Sequence, residues 1–238
     1  MITDLRRLGM RFRAAAVGMA VCAVLGGYAA SPALSADAPD QQQVVDKAKM
    51  TLDSFGEDEG MKAALKELGK ESKALFIIPQ FMRGAFIFGG AGGSGVLIVR
   101  DEKSGKWSDP VFYNIGSASF GLQIGADVSE MVLVVRTQKG LEEFYTNDFK
   151  LGANAGMAVG PVGAGIAAKG ISADIVSYAK KKGAFAGIAL DGSGVTVSND
   201  SNKAYYGREV RPTDVIVKKE VGNPKSLKLR ESAEKLMK

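Results

Sequence analysis

The residues of this sequence that could do chemistry are cations at regular spacing. In the N-terminal half, four lysines follow one another at intervals of four, four and three residues, and an arginine comes ten residues later: Lys62, Lys66, Lys70, Lys73 and Arg83. That spacing places the lysines on one face of a helix. Ammonium and guanidinium groups bind lipid headgroup phosphates, so the pattern fits a headgroup site. It fits an ordinary solvated helix surface as well, and both interpretations stay open here.

Apolar side chains that could meet the acyl boundary of a bilayer lie in the same stretch. Phe76, Ile77 and Phe81 stand between the lysines and Arg83. A surface that binds a bilayer needs apolar groups beside its cations, so we predict these three as lipid contacts, with a buried strand as the alternative. A second cluster, Lys180, Lys181 and Lys182, precedes a glycine and is the second headgroup candidate, or else a solvated loop.

The composition excludes most enzyme chemistry. The chain has no histidine, which rules out Ser-His-Asp and Cys-His sites and histidine-ligated metals. Its one cysteine, Cys22, cannot form an internal disulfide. The acidic pairs Asp127 with Glu130 and Glu142 with Glu143 are typical of a protein surface. We therefore expect no enzymatic activity, no catalytic residue, no metal and no cofactor.

The N-terminus has the order of a secretory signal peptide. Four arginines precede an uncharged run over 14–30, and small residues follow over 33–36. We predict cleavage after about residue 36; a transmembrane anchor is the competing interpretation, and Cys22, preceded by a valine, does not fit a lipoprotein site. The expected location is periplasmic or secreted, with peripheral membrane association. Without the leader, 27 basic and 25 acidic residues remain, too small an excess for nucleic-acid binding.

Behind the leader, the patterns predict an α+β fold. A flexible lead-in is expected over 37–43, then two helices, the second starting near Asp58. Apolar segments separated by glycine clusters follow, and residues 84–194 hold 21 of the 30 glycines. Because glycine inside a strand marks a bend or bulge, we predict N-terminal helices followed by a glycine-rich, strongly curved antiparallel sheet or barrel. The predicted domain spans 44–210, with a basic C-terminal extension over 211–238.

Two glycine motifs resemble known functional motifs, but we do not expect the corresponding functions here. Residues 90–95 match the dinucleotide fingerprint G-x-G-x-x-G, but a β-branched run follows where a helix N-terminus is required. Residues 151–168 are uncharged with glycines four apart, as in a transmembrane glycine zipper. Pro161 and the shortage of large apolar residues favour a strand and a tight loop instead.

A series of motifs in family order resembles the SYLF domain family. The matching blocks are residues 73–79, 84–90, 92–97, 107–110, 121–125, 183–192 and 202–207. The resemblance implies a lipid-binding module in which the N-terminal helix is implicated in membrane contact. Eukaryotic members bind phosphoinositides and in some cases actin, whereas bacterial members are exported envelope proteins. The family offers no catalytic residues. This sequence lacks an SH3 domain and a convincing lipobox. The actin binding of some eukaryotic members is not expected of this chain.

Together these observations predict a non-enzymatic phospholipid-binding protein of the bacterial cell envelope. The expected partner is a phospholipid or membrane surface, not a nucleic acid. The alternative is a structural or interaction protein of the envelope that docks a protein partner.

Overall fold

The computed structural model of this chain describes residues 41–85, 88–120, 125–161, 171–186 and 188–238. The helices are α1 (Gln41–Glu57), α2 (Glu59–Gly69), α3 (Gln138–Glu143), α4 (Asn199–Tyr206), α5 (Pro212–Ile216) and α6 (Leu227–Met237). The strands are β1 (Ala74–Ala85), β2 (Phe88–Val99), β3 (Val111–Phe120), β4 (Gly125–Val135), β5 (Asp148–Lys150), β6 (Met157–Val159), β7 (Ile175–Lys181), β8 (Ala184–Ala186) and β9 (Gly194–Val197). The predicted signal peptide, residues 1–36, lies outside the described residues.

The two N-terminal helices form where their apolar spacing predicted them. Helix α1 buries Val45, Leu52 and Phe55 along one side. It begins at Gln41, so the predicted lead-in is wrong for residues 41–43, which are helical. Helix α2 starts as expected, because the Asp58 side chain accepts a hydrogen bond of 2.7 Å from the Met61 amide and caps the first turn.

The strands form one strongly curved sheet behind these helices. Its order is β5-β9-β3-β2-β1-β4-β7-β6. The pairs are antiparallel as predicted, except that β6 runs parallel to the first half of β7. Strand β8 pairs with the second half of β7 on the same side. The predicted α+β class is confirmed, with a mixed sheet in place of a purely antiparallel one.

The central part of the sheet is buried on both faces. Successive side chains of a strand point to opposite faces, and in β1 both sets enter a core. Leu75 and Ile77 pack with α1, α2 and α6, whereas Phe76 and Ile78 pack on the other side with residues of α3 and α5. The Phe76 ring meets the ring of Phe144, just after α3, edge to face, with centroids 5.4 Å apart. This double burial explains the unbroken apolar runs in the sequence.

The predicted lipid contacts Phe76, Ile77 and Phe81 are therefore wrong. Their relative exposures are 0%, 0% and 1%, so none of them can reach a bilayer in this fold. The buried-strand alternative is the correct one. Since both faces of β1 are covered here, no choice of strand phase could have exposed them.

A bulge in β1 explains two of the glycines in β2. The cross-strand register shifts by one residue between Ile77 and Met82, and this pushes the β1 backbone toward β2. A Cβ atom at Gly93 would lie 2.3 Å from the Gln80 carbonyl oxygen, and one at Gly95 would lie 2.5 Å from the Ile77 carbonyl oxygen. Because real Cβ atoms do not approach backbone oxygens so closely, both positions require glycine. These glycines belong to the fingerprint-like motif over 90–95, which lies inside β2; no helix follows the motif, as expected.

The C-terminal segment is part of the core. Helix α6 buries Leu229 and Ala233 completely and packs against α1 and α2. The predicted boundary at residue 210 is therefore wrong, because residues 211–238 complete the helical layer. The approach is close enough that a Cβ on Gly69 would lie 2.3 Å from the carbonyl oxygen of Met237.

The uncharged run over 151–168 is not a helix in its described part. Residues Leu151–Ala155 form a turn, and β6 follows. Among the helices that the structure describes, none has the length and hydropathy of a membrane span.

Replacing Gly95 tests the close approach of β1 and β2. We expect Gly95→Ala to lower the free energy of unfolding by about 1–3 kcal/mol, because the added methyl must displace backbone atoms. Gly84→Ala on the neighbouring strand is the matched control, since nothing lies within 4 Å of its Cβ position. Urea denaturation measures both, and equal stabilities of the two variants would contradict the described register.

Replacing Leu229 tests whether α6 is part of the core. Leu229→Ala should lower the free energy of unfolding by about 2–5 kcal/mol, as expected for a cavity at a fully buried leucine. Leu227→Ala is the control on the same helix, because Leu227 is 51% exposed and should cost little. A peripheral extension would instead give two small and similar effects in thermal or urea unfolding.

Candidate functional site

The predicted lysine row on α2 is present on the surface. Lys62, Lys66 and Lys70 are exposed, and none of them forms an ion pair within the described residues. Lys73 does not join them, because it is half-buried before β1 and pairs with Glu102. The helical spacing thus brings three of the four lysines together.

Arg83 lies far from that row. It is exposed near the other end of β1, and the strand between Lys73 and Arg83 spans about 30 Å at ~3.3 Å per residue. The predicted headgroup residues from Lys62 to Arg83 therefore do not form one continuous surface. Sequence proximity misled here because the strand carries the chain across the whole sheet.

The cluster of Lys180, Lys181 and Lys182 is also divided. Lys180 points to the helical side, where its Nζ donates to Ser54 Oγ at 2.6 Å and lies 5.5 Å from the centre of the Phe185 ring. Lys181 points to the opposite side and pairs with Asp127 at 2.8 Å. Lys182 is exposed in the turn between β7 and β8. Strand alternation separates the first two lysines, so the cluster is not one site.

Three of the predicted cations nevertheless meet at one end of the sheet. Asp127 on β4 is the cross-strand partner of Arg83 and the ion-pair partner of Lys181. Lys182 follows directly in the turn. This end therefore carries Arg83, Lys181 and Lys182 around a single acidic group, Asp127.

Two large apolar side chains are exposed at the same end. Met82 is 61% exposed and Val128 is 51% exposed, and they are cross-strand partners. Partners in a sheet share a face, and here the next residues in the row are glycines, Gly92 and Gly116. Along this row, the described residues place nothing bulky beside the pair on that side. Strand alternation places this pair on the helical face and Arg83, Asp127 and Lys181 on the opposite face. The strand-end surface below means this end of the strands with both of its faces: Met82, Val128, Arg83, Lys181 and Lys182.

A polar row separates the strand-end surface from α1. Lys47 on α1 donates to the Gln80 side chain at 3.2 Å, and Ser54 donates to Glu130 at 3.2 Å. Helix α1 packs on the sheet through its apolar face, and these two polar contacts join it to the strands next to Met82 and Val128. Asp127 and Glu130 lie three residues apart in β4, so they point to opposite faces of the sheet and do not form a pair.

Lys182 adopts a backbone conformation that lysine seldom takes. Its φ is 49°, and Gly183 beside it has φ 80°. Two successive positive φ values are typical of a tight hairpin turn in which asparagine and glycine are usual. A long cation at the first of these positions is held at the tip at some cost in stability, which is a pattern found at functional sites.

Asp174 is an acidic residue whose hydrogen bonds stabilise the fold. Asp174 accepts hydrogen bonds from the Thr137 hydroxyl at 2.5 Å and the Gly156 amide at 2.7 Å, and these bonds lower its pKa. It thereby ties the start of α3 to the segment before β6. Within the described ranges, no group of three or more acidic, cysteine or histidine side chains is arranged to hold a metal ion.

Comparison with known proteins identifies the family. The family model described as Ysc84, Las17-binding protein actin regulator, matches residues 116–237, just over half of the chain. The chain belongs to the Ysc84 family. This confirms the SYLF resemblance of the motifs. The match includes Val128, Lys181 and Lys182 of the strand-end surface, and it runs through α6 to the end of the helical core.

The chain is also similar to longer eukaryotic proteins of this kind. It is 32% identical over 150 residues to human SH3 domain-containing YSC84-like protein 1, covering 61% of this chain and 43% of that protein. It is 34% identical over 146 residues to LAS seventeen-binding protein 3 of Saccharomyces cerevisiae, covering 58% of this chain and 31% of the yeast protein. The chain thus spans less than half the length of these relatives.

Sequence reasoning missed Met82 and Val128. Both lie outside the apolar segments that the sequence patterns predicted as strands, and the bulge before Met82 changes which face the following residues of β1 occupy. The available signal was the fall in side-chain volume along the row of Met82, since its next cross-strand partners, Gly92 and Gly116, are glycines.

The turn conformation of Lys182 gives a stability prediction. Lys182→Asn should raise the free energy of unfolding by about 0.5–1 kcal/mol, because asparagine tolerates positive φ better than lysine. Lys62→Asn on α2 is the control and should have the opposite sign, since asparagine is a poorer helix former. Urea denaturation measures both; a loss of stability at position 182 would contradict the described turn.

Proposed function

We propose that this protein is a non-enzymatic phospholipid-binding protein that attaches to membranes through the strand-end surface. The observation that carries the proposal is that one end of the sheet exposes Met82 and Val128 on its helical face, Arg83 and Lys181 on the opposite face and Lys182 in the adjoining turn. A bilayer that meets the strands end on would contact both faces. Apolar side chains next to cations are what a bilayer interface binds. Elsewhere on β1 the apolar residues named as lipid contacts are in the core, so the proposal rests on a different surface from the one that the sequence suggested.

The expected attachment is weak and depends on salt. Each cation near an anionic bilayer contributes about 1 kcal/mol, and Lys181 already shares its charge with Asp127. Two partly exposed apolar side chains add about 1 kcal/mol each when they enter the interface. The total resembles that of a single lipid anchor, which binds reversibly. Salt should release the protein, because charges near a surface are screened over about 8 Å at physiological ionic strength.

We further propose a location in the bacterial cell envelope, on the periplasmic side. This part of the proposal rests on the leader-like sequence over residues 1–36 and on the resemblance to exported family members. The headgroup role of Lys62, Lys66 and Lys70 stays a prediction, since their row on α2 is exposed but has no apolar partner of the kind found at the strand-end surface.

A second candidate function is the docking of a partner protein. The family is described as Las17-binding, and the yeast relative carries the same description in its name. One feature of this chain favours such a role: β4 pairs with β7 only as far as Ser129, so Asp127 and Val128 have a strand neighbour on one side among the described pairs. An open strand edge can accept a strand from another protein.

Vesicle binding tests the apolar half of the proposal. The full chain without residues 1–36 should sediment with vesicles of equal parts phosphatidylglycerol and phosphatidylcholine, and bind pure phosphatidylcholine less. The double variant Met82→Gln/Val128→Thr keeps side-chain size and should bind at least about tenfold more weakly. Leu227→Gln is the control, because Leu227 is exposed to the same degree as Val128. Equal losses in the two variants would contradict the proposed surface.

Charge removal tests the cationic half and distinguishes the two lysine surfaces. Arg83→Gln/Lys182→Gln should weaken binding to the anionic vesicles and reduce its sensitivity to salt. Lys62→Gln/Lys66→Gln removes the same charge from α2 and should have the smaller effect. The reverse order would assign the headgroups to α2. Absence of vesicle binding at low salt, together with retention of a partner in an envelope pull-down, would favour the docking function.

A further inference from the structure

A groove of about 790 Å³ lies at the end of the sheet opposite the strand-end surface. One wall is the loop between β2 and β3, from Arg100 to Ser108. The other is formed by residues 215–217 and 219–222, at the end of α5 and just after it, and by Arg230 on α6. The two walls are joined by an ion pair between Lys219 and Asp101 at 2.5 Å and by hydrogen bonds from the segment before α6 to Asp109.

The groove contains more cations than its acids neutralise. Its lining holds six basic and four acidic side chains. Two of the cations, Lys73 and Lys219, are paired with Glu102 and Asp101. Within the part of the chain that the structure describes, the other four form no ion pair: Arg100, Lys103, Lys106 and Arg230.

Arg230 is the least satisfied of these cations. It is half-buried, and its Nε is shielded from solvent without an acceptor among the described atoms. The nearby acids are already engaged. Asp109 accepts hydrogen bonds from the Asn223 amide at 3.1 Å and the Ser226 hydroxyl at 2.6 Å. Glu234, one turn along α6, pairs with Lys238. A shielded guanidinium N–H without an acceptor is unfavourable, and a bound anion would remove that cost.

Arg100 and Lys106 lie on the same side as Arg230. All three line the groove. The positive charges of Arg100 and Lys106 also help to lower the pKa of Glu234, after its hydrogen bond with Lys238. Arg100 is held in place, because one of its terminal nitrogens donates to the Gly69 carbonyl at 2.8 Å. The other terminal nitrogen forms no hydrogen bond with the described residues.

We infer that this groove binds a phosphate monoester group, with Arg230 as its central ligand and Arg100 and Lys106 beside it. Two guanidinium groups offer planar pairs of donors that match the oxygens of phosphate. A phosphate monoester carries nearly two negative charges at neutral pH, which suits several unpaired cations better than a single carboxylate does. The same chemistry occurs in soluble metabolites and in lipids whose headgroup is a bare phosphate.

The position of the groove favours the soluble source. Lys73 and Val99 at its wall mark the start of β1 and the end of β2, whereas Met82 and Arg83 of the strand-end surface lie about 30 Å away along β1. A bilayer that contacts the strand-end surface cannot reach the groove at the same time. This orientation rests on the proposed function, whereas the phosphate site itself does not.

A titration followed by nuclear magnetic resonance tests the inference on the full chain without residues 1–36. Glycerol 3-phosphate is the soluble probe, and glycerol is its uncharged control. The Nε–H signal of Arg230, assigned by its loss in Arg230→Gln, should shift and saturate with glycerol 3-phosphate only. Arg230→Gln should weaken binding at least about tenfold as followed by the backbone amides of residues 100–107. Arg208→Gln should leave it unchanged, because Arg208 is an exposed arginine outside the groove.

The remaining arms separate the outcomes. Vesicles containing phosphatidic acid that shift the groove signals more strongly than glycerol 3-phosphate would assign the phosphate to a lipid. If Arg230→Gln unfolds, Lys106→Gln replaces it, since Lys106 is exposed and its loss should weaken binding without affecting the fold. Equal weakening by Arg208→Gln, or shifts that never saturate, would overturn the inference. The result does not depend on vesicle binding by the strand-end surface, so the two proposals can fail separately.

Discussion

The structure depends on a sheet whose central strands are buried on both faces. In β1, alternate residues enter the helical core and the opposite core, so neither face of the strand is available to a ligand over its first half. Any contact with another molecule must therefore be made where the strands extend past the two cores or where loops join them. The strand-end surface and the groove around Arg230 are two such places, at opposite ends of the same strands.

The bulge in β1 determines how the strands leave the core. It shifts the register by one residue and moves backbone oxygens into the space that side chains at Gly93 and Gly95 would fill. Beyond this point the cross-strand row of Met82 and Val128 continues with two glycines, Gly92 and Gly116. A row with little side-chain volume next to two exposed apolar groups suits either a bilayer or another strand.

Sequence patterns predicted the architecture better than the site. Apolar spacing predicted both N-terminal helices, and the glycine clusters predicted a curved sheet. The patterns could not assign faces: Phe76 and Phe81 look the same in a half-exposed strand and in a doubly buried one, and only the second layer of packing decides between them. Adjacent lysines misled for a related reason, because alternation sends Lys180 and Lys181 to opposite sides. The C-terminal segment was predicted to be peripheral because charged residues dominate its composition. Its buried residues, such as Leu229 and Ala233, are few.

The closure of the helical layer by α6 constrains how the chain can fold. Gly69 at the end of α2 touches the backbone of Met237, and these two positions are separated by most of the domain. Contacts between residues so distant in the sequence form late, because a long loop must close first. The inner face of α1 thus stays incompletely covered until residue 237 has left the ribosome, and during synthesis the nascent domain presents an unfinished apolar surface to which a chaperone can bind.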